Sequence, residues 1–161
     1  MRTINPIMHR WSDLIAILPL YDHTGRDITR FHYTDGSHCD FHAPITTALE
    51  EICHYLHVNR KTLLAQSAAY LNGRTRKVPL SLRKGFCLVP VTARKERYTT
   101  KHSPVGFIVQ QQADMVVRES GNYTTITFQN SSQFLTFPQS KRTVEHQLEL
   151  AETLVAYFRH Y

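Results

Sequence analysis

The chain has little of what covalently or metal-stabilised folds require. Its 161 residues include three cysteines, Cys39, Cys53 and Cys87, and no Cys-x-x-Cys motif. An odd number of widely spaced cysteines predicts free thiols in a reducing compartment. Cys39-x2-His42 and Cys53-x3-His57 have spacings that a zinc site could use. However, Cys39 and His42 fall in a predicted strand, where residues three apart face opposite ways, and Cys53 falls on an apolar helix stripe. We therefore expect buried thiols and no metal.

Long apolar runs are also lacking. No segment approaches the ~20 apolar residues that a membrane span requires, and the N-terminal MRTINPIMHRW lacks the apolar core of a signal peptide. The phosphate-binding glycine loops, the His-Glu-x-x-His pair and the Gly-x-Ser-x-Gly elbow of common enzyme classes do not occur. We expect a cytoplasmic protein that is not an enzyme, with no catalytic residue, no cofactor and no membrane partner.

Acidic residues are scarce in the middle of the chain. Residues 52–113 contain eleven Lys or Arg and one acid, Glu96, whereas the rest of the chain contains eight basic and twelve acidic residues. The corresponding net charges, +10 and −4, account for the overall +6. Such a one-sided block repels itself, so it is tolerated more easily where a polyanion supplies the counter-charge. The alternative is a basic surface without a ligand.

The basic residues of this block form four groups around predicted turns and loops. Lysines and arginines neutralise phosphates, and an arginine can also enter a narrow minor groove. Three of these groups lie at turns or loops that a sheet could present on one side, and we expect the basic residues to contact duplex DNA. The predicted DNA-contact residues are Arg60 and Lys61; Arg74, Arg76 and Lys77; Arg83 and Lys84; and Arg94, Lys95, Arg97 and Lys101. Because aromatic residues are sparse among them, single-strand stacking is poorly supported.

Hydrophobic periodicity predicts an α+β fold that begins with an antiparallel β-meander. The meander comprises LIAILPLY (14–21), ITRFHYT (28–34) and a shorter strand through Phe41. Pro19 favours a sheet edge, or a strand end, for the first strand.

Two central helices are predicted to follow the meander. Thr47 and Glu50 have capping-box spacing at the start of the first helix. A break is expected at Val58-Asn59, and residues 72–73 (Asn-Gly) close the second helix.

The remaining sequence predicts a second β-rich lobe and a long C-terminal helix. The strands VPLSL, FCLVPV, GFIVQQQADMVV, YTTITFQ and QFLTFP precede a helix over residues 141–161. An apolar seam from Val144 to Phe158 favours packing of this helix on the sheet over a dimer contact. The chain is thus predicted to be a single DNA-binding domain, residues 1–161, or two lobes, residues 1–77 and 78–161.

The order of the segments along the chain carries a resemblance. It consists of AILPLYDHTGRDITRF, the helix EEICHYL, Arg60-Lys61 before the next helix, Lys77-Val78-Pro79 leading into a strand, FCLVPV, TTITF and a final helix with Gln147. This order resembles the competence transcription factor family, ComK, over nearly the whole chain. The resemblance implies a bacterial transcriptional activator that binds paired AT-rich boxes, chiefly through the minor groove, and assists RNA polymerase at DNA-uptake promoters. It also implies control by an adaptor-guided Clp protease.

Other readings of the same residues stay open. From Gly106 onward, the order strand, Glu-Ser-Gly-Asn-Tyr, strand, hairpin and helix is similar to the LytTR DNA-binding domain, which implies major-groove contact. RNA or an acidic protein is an alternative ligand for the basic residues. Paired DNA sites imply a homodimer or higher homo-oligomer, formed through the C-terminal helix seam or through an exposed sheet edge.

Overall fold

The computed structural model describes residues 3–71, 78–83, 86–94 and 104–158. Within these ranges the chain has the predicted α+β architecture, with two antiparallel sheets and a long C-terminal helix. The strands are β1 Leu14–Tyr21, β2 Asp27–Tyr33, β3 His38–Phe41, β4 Leu80–Arg83, β5 Phe86–Thr92, β6 Val105–Val109, β7 Ala113–Arg118, β8 Thr124–Phe128 and β9 Phe134–Phe137. The helices are α1 Asn5–Met8, α2 Ile45–Tyr55, α3 Arg60–Tyr70 and α4 Lys141–Phe158, with 3-10 turns at Trp11–Asp13 and Gln110–Gln112.

The larger sheet has the strand order β3-β2-β1-β6-β5-β4. The predicted N-terminal meander is confirmed as β1, β2 and β3. β1 is a central strand rather than an edge strand, because it also pairs with β6 at Ala16 and Ile17. Pro19 lies beyond this short pairing, towards the end of β1, so its missing N–H costs no ladder bond to β6.

Pairing of β1 with β6 joins the two predicted lobes. β1 belongs to residues 1–77 and β6 to residues 78–161, yet Ala16 lies opposite Ile108 and Ile17 opposite Phe107 in one ladder. The larger sheet therefore runs without interruption across the division that the sequence suggested.

Each face of the larger sheet is covered by a separate apolar layer. On one face, α2 and the N-terminal segment enclose a core that includes Met8, Phe31, Ile52 and Phe86. On the other face lie α4 and the smaller sheet, which has the order β7-β8-β9. The 3-10 turn Gln110–Gln112 leads the chain from β6 into β7, so the segment GFIVQQQADMVV forms two strands in different sheets rather than one.

The helix boundaries follow local chemistry, with one correction. α2 begins after Pro44, whose extended backbone precedes the buried Ile45, so Thr47 lies inside the helix and the predicted capping box is wrong. The predicted break before α3 is confirmed. His57 has a φ of 57°, and the Asn59 side chain accepts a hydrogen bond from Thr62 N at 3.0 Å.

The C-terminal helix packs on the sheet, as predicted. Its buried residues are Val144, Gln147, Ala151 and Leu154. Together with the partly buried Leu148 and Val155, they form a wider face than the expected seam, because a helix that covers a sheet buries a broader stripe than a coiled-coil partner does.

A glycine permits the close approach of β1 and β6. A Cβ atom added at Gly106 would lie 2.9 Å from Leu18 Cδ2 and 3.0 Å from both the Ile17 carbonyl oxygen and Pro19 Cδ. Gly106→Ala should lower the free energy of unfolding by about 1–3 kcal/mol, since overpacking at a rigid backbone forces strands apart. Urea denaturation measures this change.

Gly25→Asn is the matched control for this substitution. Gly25 has a φ of +85° and no atom within 4 Å of an added Cβ, and asparagine tolerates that backbone conformation. The control should change stability by less than about 0.5 kcal/mol. An equal effect of both substitutions would contradict the tight β1–β6 contact.

Candidate nucleic-acid interface

Positive charge is concentrated outside the described part of the chain. The described residues contain ten Lys or Arg and twelve Asp or Glu, whereas the remaining 22 residues contain nine Lys or Arg and one acid. Seven of these nine cations belong to three connections between strands and helices, residues 72–77, 84–85 and 95–103.

Four of the eleven predicted contact residues lie in the described part of the chain: Arg60, Lys61, Arg83 and Arg94. The other seven lie outside the described residues: Arg74, Arg76, Lys77, Lys84, Lys95, Arg97 and Lys101.

The larger sheet separates two of the predicted groups. Arg83 ends β4 opposite Phe86, the first residue of β5, whereas Arg94 lies two residues after Thr92, the last residue of β5. A seven-residue strand spans about 20 Å. Arg83 and Arg94 therefore lie at opposite ends of the sheet.

Most other described cations lie at the end of the sheet where β5 ends and β6 begins, here called the β5–β6 end. The start of α3 lies there, because Arg60, Val78, Pro90 and Val105 line a common groove of about 230 Å³. Ala93 N donates to the Pro104 carbonyl oxygen at 2.9 Å. Val78, Arg94 and Pro104, which adjoin residues 72–77 and 95–103 in sequence, therefore lie at this end.

The β5–β6 end also includes cations that the sequence reasoning missed. Thr92 N donates to Gln139 Oε1 at 2.9 Å, which places the start of α4 beside the end of β5. Arg118, Lys141 and Arg142 line an open cleft of about 600 Å³ there, together with Glu145 and Glu149. Because these cations lie outside the basic block in sequence, charge counting along the chain could not associate them with it.

Arg60 and Lys61 differ in their availability to a ligand. Arg60 Nη1 donates to Glu50 Oε1 at 3.1 Å, and its side chain is 29% exposed. Lys61 is exposed, and within the described residues it has no ion pair. Lys61 is therefore the better placed of the two to meet a phosphate.

Arg94 is mostly buried and engaged within the protein. Its Nη2 donates to Asp27 Oδ1 at 2.9 Å, and the two side chains are 13% and 15% exposed. The guanidinium carbon lies 3.9 Å from the centroid of the Tyr21 ring. These contacts join the end of β5 to the β1–β2 hairpin, which favours a structural role for Arg94.

The residues considered for zinc do not converge. Cys53 is buried on α2, where burial raises the pKa of its thiol, and Cys39 is half-buried on β3. Burial raises the pKa of the Cys87 thiol to about 12. In residues 3–71, 78–83, 86–94 and 104–158, no group of three His, Cys, Asp or Glu side chains has the arrangement of a metal site.

A polar ladder between β2 and β3 was not anticipated from the sequence. Arg30 pairs with Asp40 across the strands at 2.7 Å, and His32 lies opposite His38. Burial, followed by the charge of Arg30, lowers the pKa of His32 to about 4.

Comparison with known protein families, curated proteins and solved structures finds no match to this chain. The resemblances to the ComK family and the LytTR domain therefore stay predictions. Among the described helices, none is both long enough and apolar enough to cross a bilayer.

Removal of the Arg94 guanidinium should destabilise the fold. Arg94→Ala removes a mostly buried ion pair with Asp27 and the contact with the Tyr21 ring, and it should lower the free energy of unfolding by about 3 kcal/mol. Lys61→Ala, at an exposed position, should cost less than about 0.5 kcal/mol. Equal stability of the two variants in urea denaturation would show that the pair has no structural role.

The lowered pKa of His32 predicts a loss of stability in mild acid. Between pH 6.5 and 4 the unfolded chain protonates this histidine while the folded protein resists it, so stability should fall as pH decreases through that window. Since the ring is only partly buried, we expect about 1 kcal/mol between pH 7 and pH 5. His32→Gln should remove this part of the pH dependence in urea denaturation, whereas His9→Gln, at an exposed position, should retain it. An unchanged pH profile in His32→Gln would contradict the assignment.

Proposed function

We propose that this protein is a sequence-preferring duplex DNA-binding protein that activates transcription and meets DNA at the β5–β6 end. The distribution of charge supports the proposal most directly. Residues 52–113 carry a net charge of +10, with eleven basic residues and one acid, and the rest of the chain carries −4, with eight basic and twelve acidic residues. DNA is repelled by an acidic surface and attracted by clustered cations, so only part of this molecule suits it.

The position of the described cations supports the same end of the sheet. Lys61 and Arg142 are exposed there, and Val78, Arg94 and Pro104, which adjoin residues 72–77 and 95–103 in sequence, lie at the same end. Those two ranges contain six further predicted contacts: Arg74, Arg76, Lys77, Lys95, Arg97 and Lys101.

The finer parts of the proposal come from the resemblance to the ComK family. They are paired AT-rich sites, contact through the minor groove, assistance to RNA polymerase at competence or DNA-uptake promoters, self-association, control by a Clp-protease adaptor and a cytoplasmic location. The LytTR-like order of the C-terminal strands makes major-groove contact the alternative geometry. RNA and acidic proteins are alternative ligands for the same cations.

A fluorescence-anisotropy titration tests the proposal. The purified protein is titrated with an AT-rich duplex that contains paired A-run and T-run boxes and with a GC-rich duplex of equal length, at three salt concentrations. We expect tighter binding to the AT-rich duplex and loss of that preference when a minor-groove ligand competes. Equal binding to both duplexes, or preference for RNA of equal length, would contradict sequence-preferring DNA binding.

Single-cation variants locate the DNA on the molecule. Lys61→Ala should weaken binding to both duplexes alike and reduce the slope of log affinity against log salt by about one unit, since one phosphate contact is lost. Arg83→Ala, at the opposite end of β5, should leave the slope unchanged. The reverse result would place the DNA at the β4–β5 turn instead.

A further inference from the structure

The smaller sheet has an outer face made of two rows of side chains. In β8, Ile126 and Phe128 are buried against the larger sheet, so the alternate residues point outward. One outward row contains Met115, Thr127 and Phe134, and the other contains Val117, Thr125 and Thr136. These six residues are called the outer face below.

Three apolar side chains of the outer face are largely exposed to solvent. Phe134 is 65% exposed, Met115 59% and Val117 41%. Among the described residues, the other large hydrophobic side chains exposed to a comparable degree are Tyr70 and Tyr123. Tyr70 already stacks on Tyr157, with ring centroids 4.0 Å apart. Clustered apolar exposure of this kind marks an interaction surface.

The polar atoms of the outer face are already satisfied. Met115 N donates to Thr127 Oγ1 at 3.0 Å, and the hydroxyls of Thr125 and Thr136 lie 2.7 Å apart in a hydrogen bond. Covering this face would therefore strand few donors or acceptors, so the cost of burying its polar groups is small.

The absence of charge restricts the kind of occupant. None of the six outer-face residues is Lys, Arg, Asp or Glu, so DNA phosphates and strongly charged protein partners find no counter-charge there. A second copy of this chain carries the same net charge of +6, and two copies avoid like-charge repulsion where they meet through neutral surface. An edge-to-edge contact through β7 is less suitable, because the register shifts between Ala113 and Val116 and bulges protect strand edges.

We propose that the outer face is the contact between two copies of this protein, packed face to face about a two-fold axis. Its biological use rests on the proposed function, since paired DNA sites need two copies, but the contact itself does not involve DNA. Three strands about 4.8 Å apart provide a few hundred Å² at most, below the roughly 800 Å² per partner of a standard interface. We therefore expect a weak dimer that dissociates on dilution and that leaves the β5–β6 end accessible.

Sedimentation equilibrium of the full chain, over about a hundredfold range of concentration, tests the contact. The wild-type protein should shift from monomer to dimer as concentration rises. Phe134→Glu should weaken dimerisation at least tenfold, because it places a charge in the apolar contact on both copies. Gln66→Glu adds the same charge at an exposed position of α3 and should dimerise as the wild type does. Circular dichroism of each variant establishes that it is folded.

Two results would overturn the inference: a wild-type protein that stays monomeric over the whole range, or a folded Phe134→Glu variant that dimerises like the wild type. The wild type and the Phe134→Glu variant are also titrated with a duplex that contains a single AT-rich box. This titration distinguishes failure of the dimer contact from failure of the proposed function. Dimerisation through the outer face without DNA preference would leave the inference intact and defeat the function. AT-preferring binding by a protein that stays monomeric would support the proposed function and overturn the inference.

Discussion

The fold depends on a short pairing between β1 and β6. Two residue pairs, Ala16 with Ile108 and Ile17 with Phe107, join a meander from the N-terminal half to three strands from the C-terminal half. Gly106 allows this approach because a side chain there would meet the backbone and side chains of β1. Without that pairing, the apolar layers on both faces would cover two separate sheets instead of one.

The same pairing decides where charged residues meet. Once β5, β6 and β1 are antiparallel neighbours, the end of β5 lies beside the β1–β2 hairpin, and Arg94 reaches Asp27 and Tyr21. The start of α4 reaches that end through Gln139. The β5–β6 end thus gathers cations from several parts of the chain, while the outer face of the smaller sheet contains no charged residue. We propose that these two surfaces divide DNA contact and self-association between them.

Local patterns in the sequence were informative where the local interaction also decides the structure. Alternation placed Arg30 and His32 on the face opposite Phe31, and Asn59 capped α3 as its side chain allows. The capping box at Thr47 failed because burial of Ile45 started the helix earlier. The ion pair of Arg94 with Asp27 joins residues 67 positions apart, and no local pattern encodes such a contact.

Periodicity and composition, which act over a few residues, were enough to specify the α+β class, most strand and helix positions and the location of the basic block along the chain. Other relations arise only from the folded arrangement: Arg83 and Arg94 lie at opposite ends of a strand, Arg142 lies near the end of β5, and Met115 and Phe134 share an exposed face. Those relations depend on which strands pair and in what register, and strand pairing is set by long-range packing of apolar faces rather than by neighbouring residues.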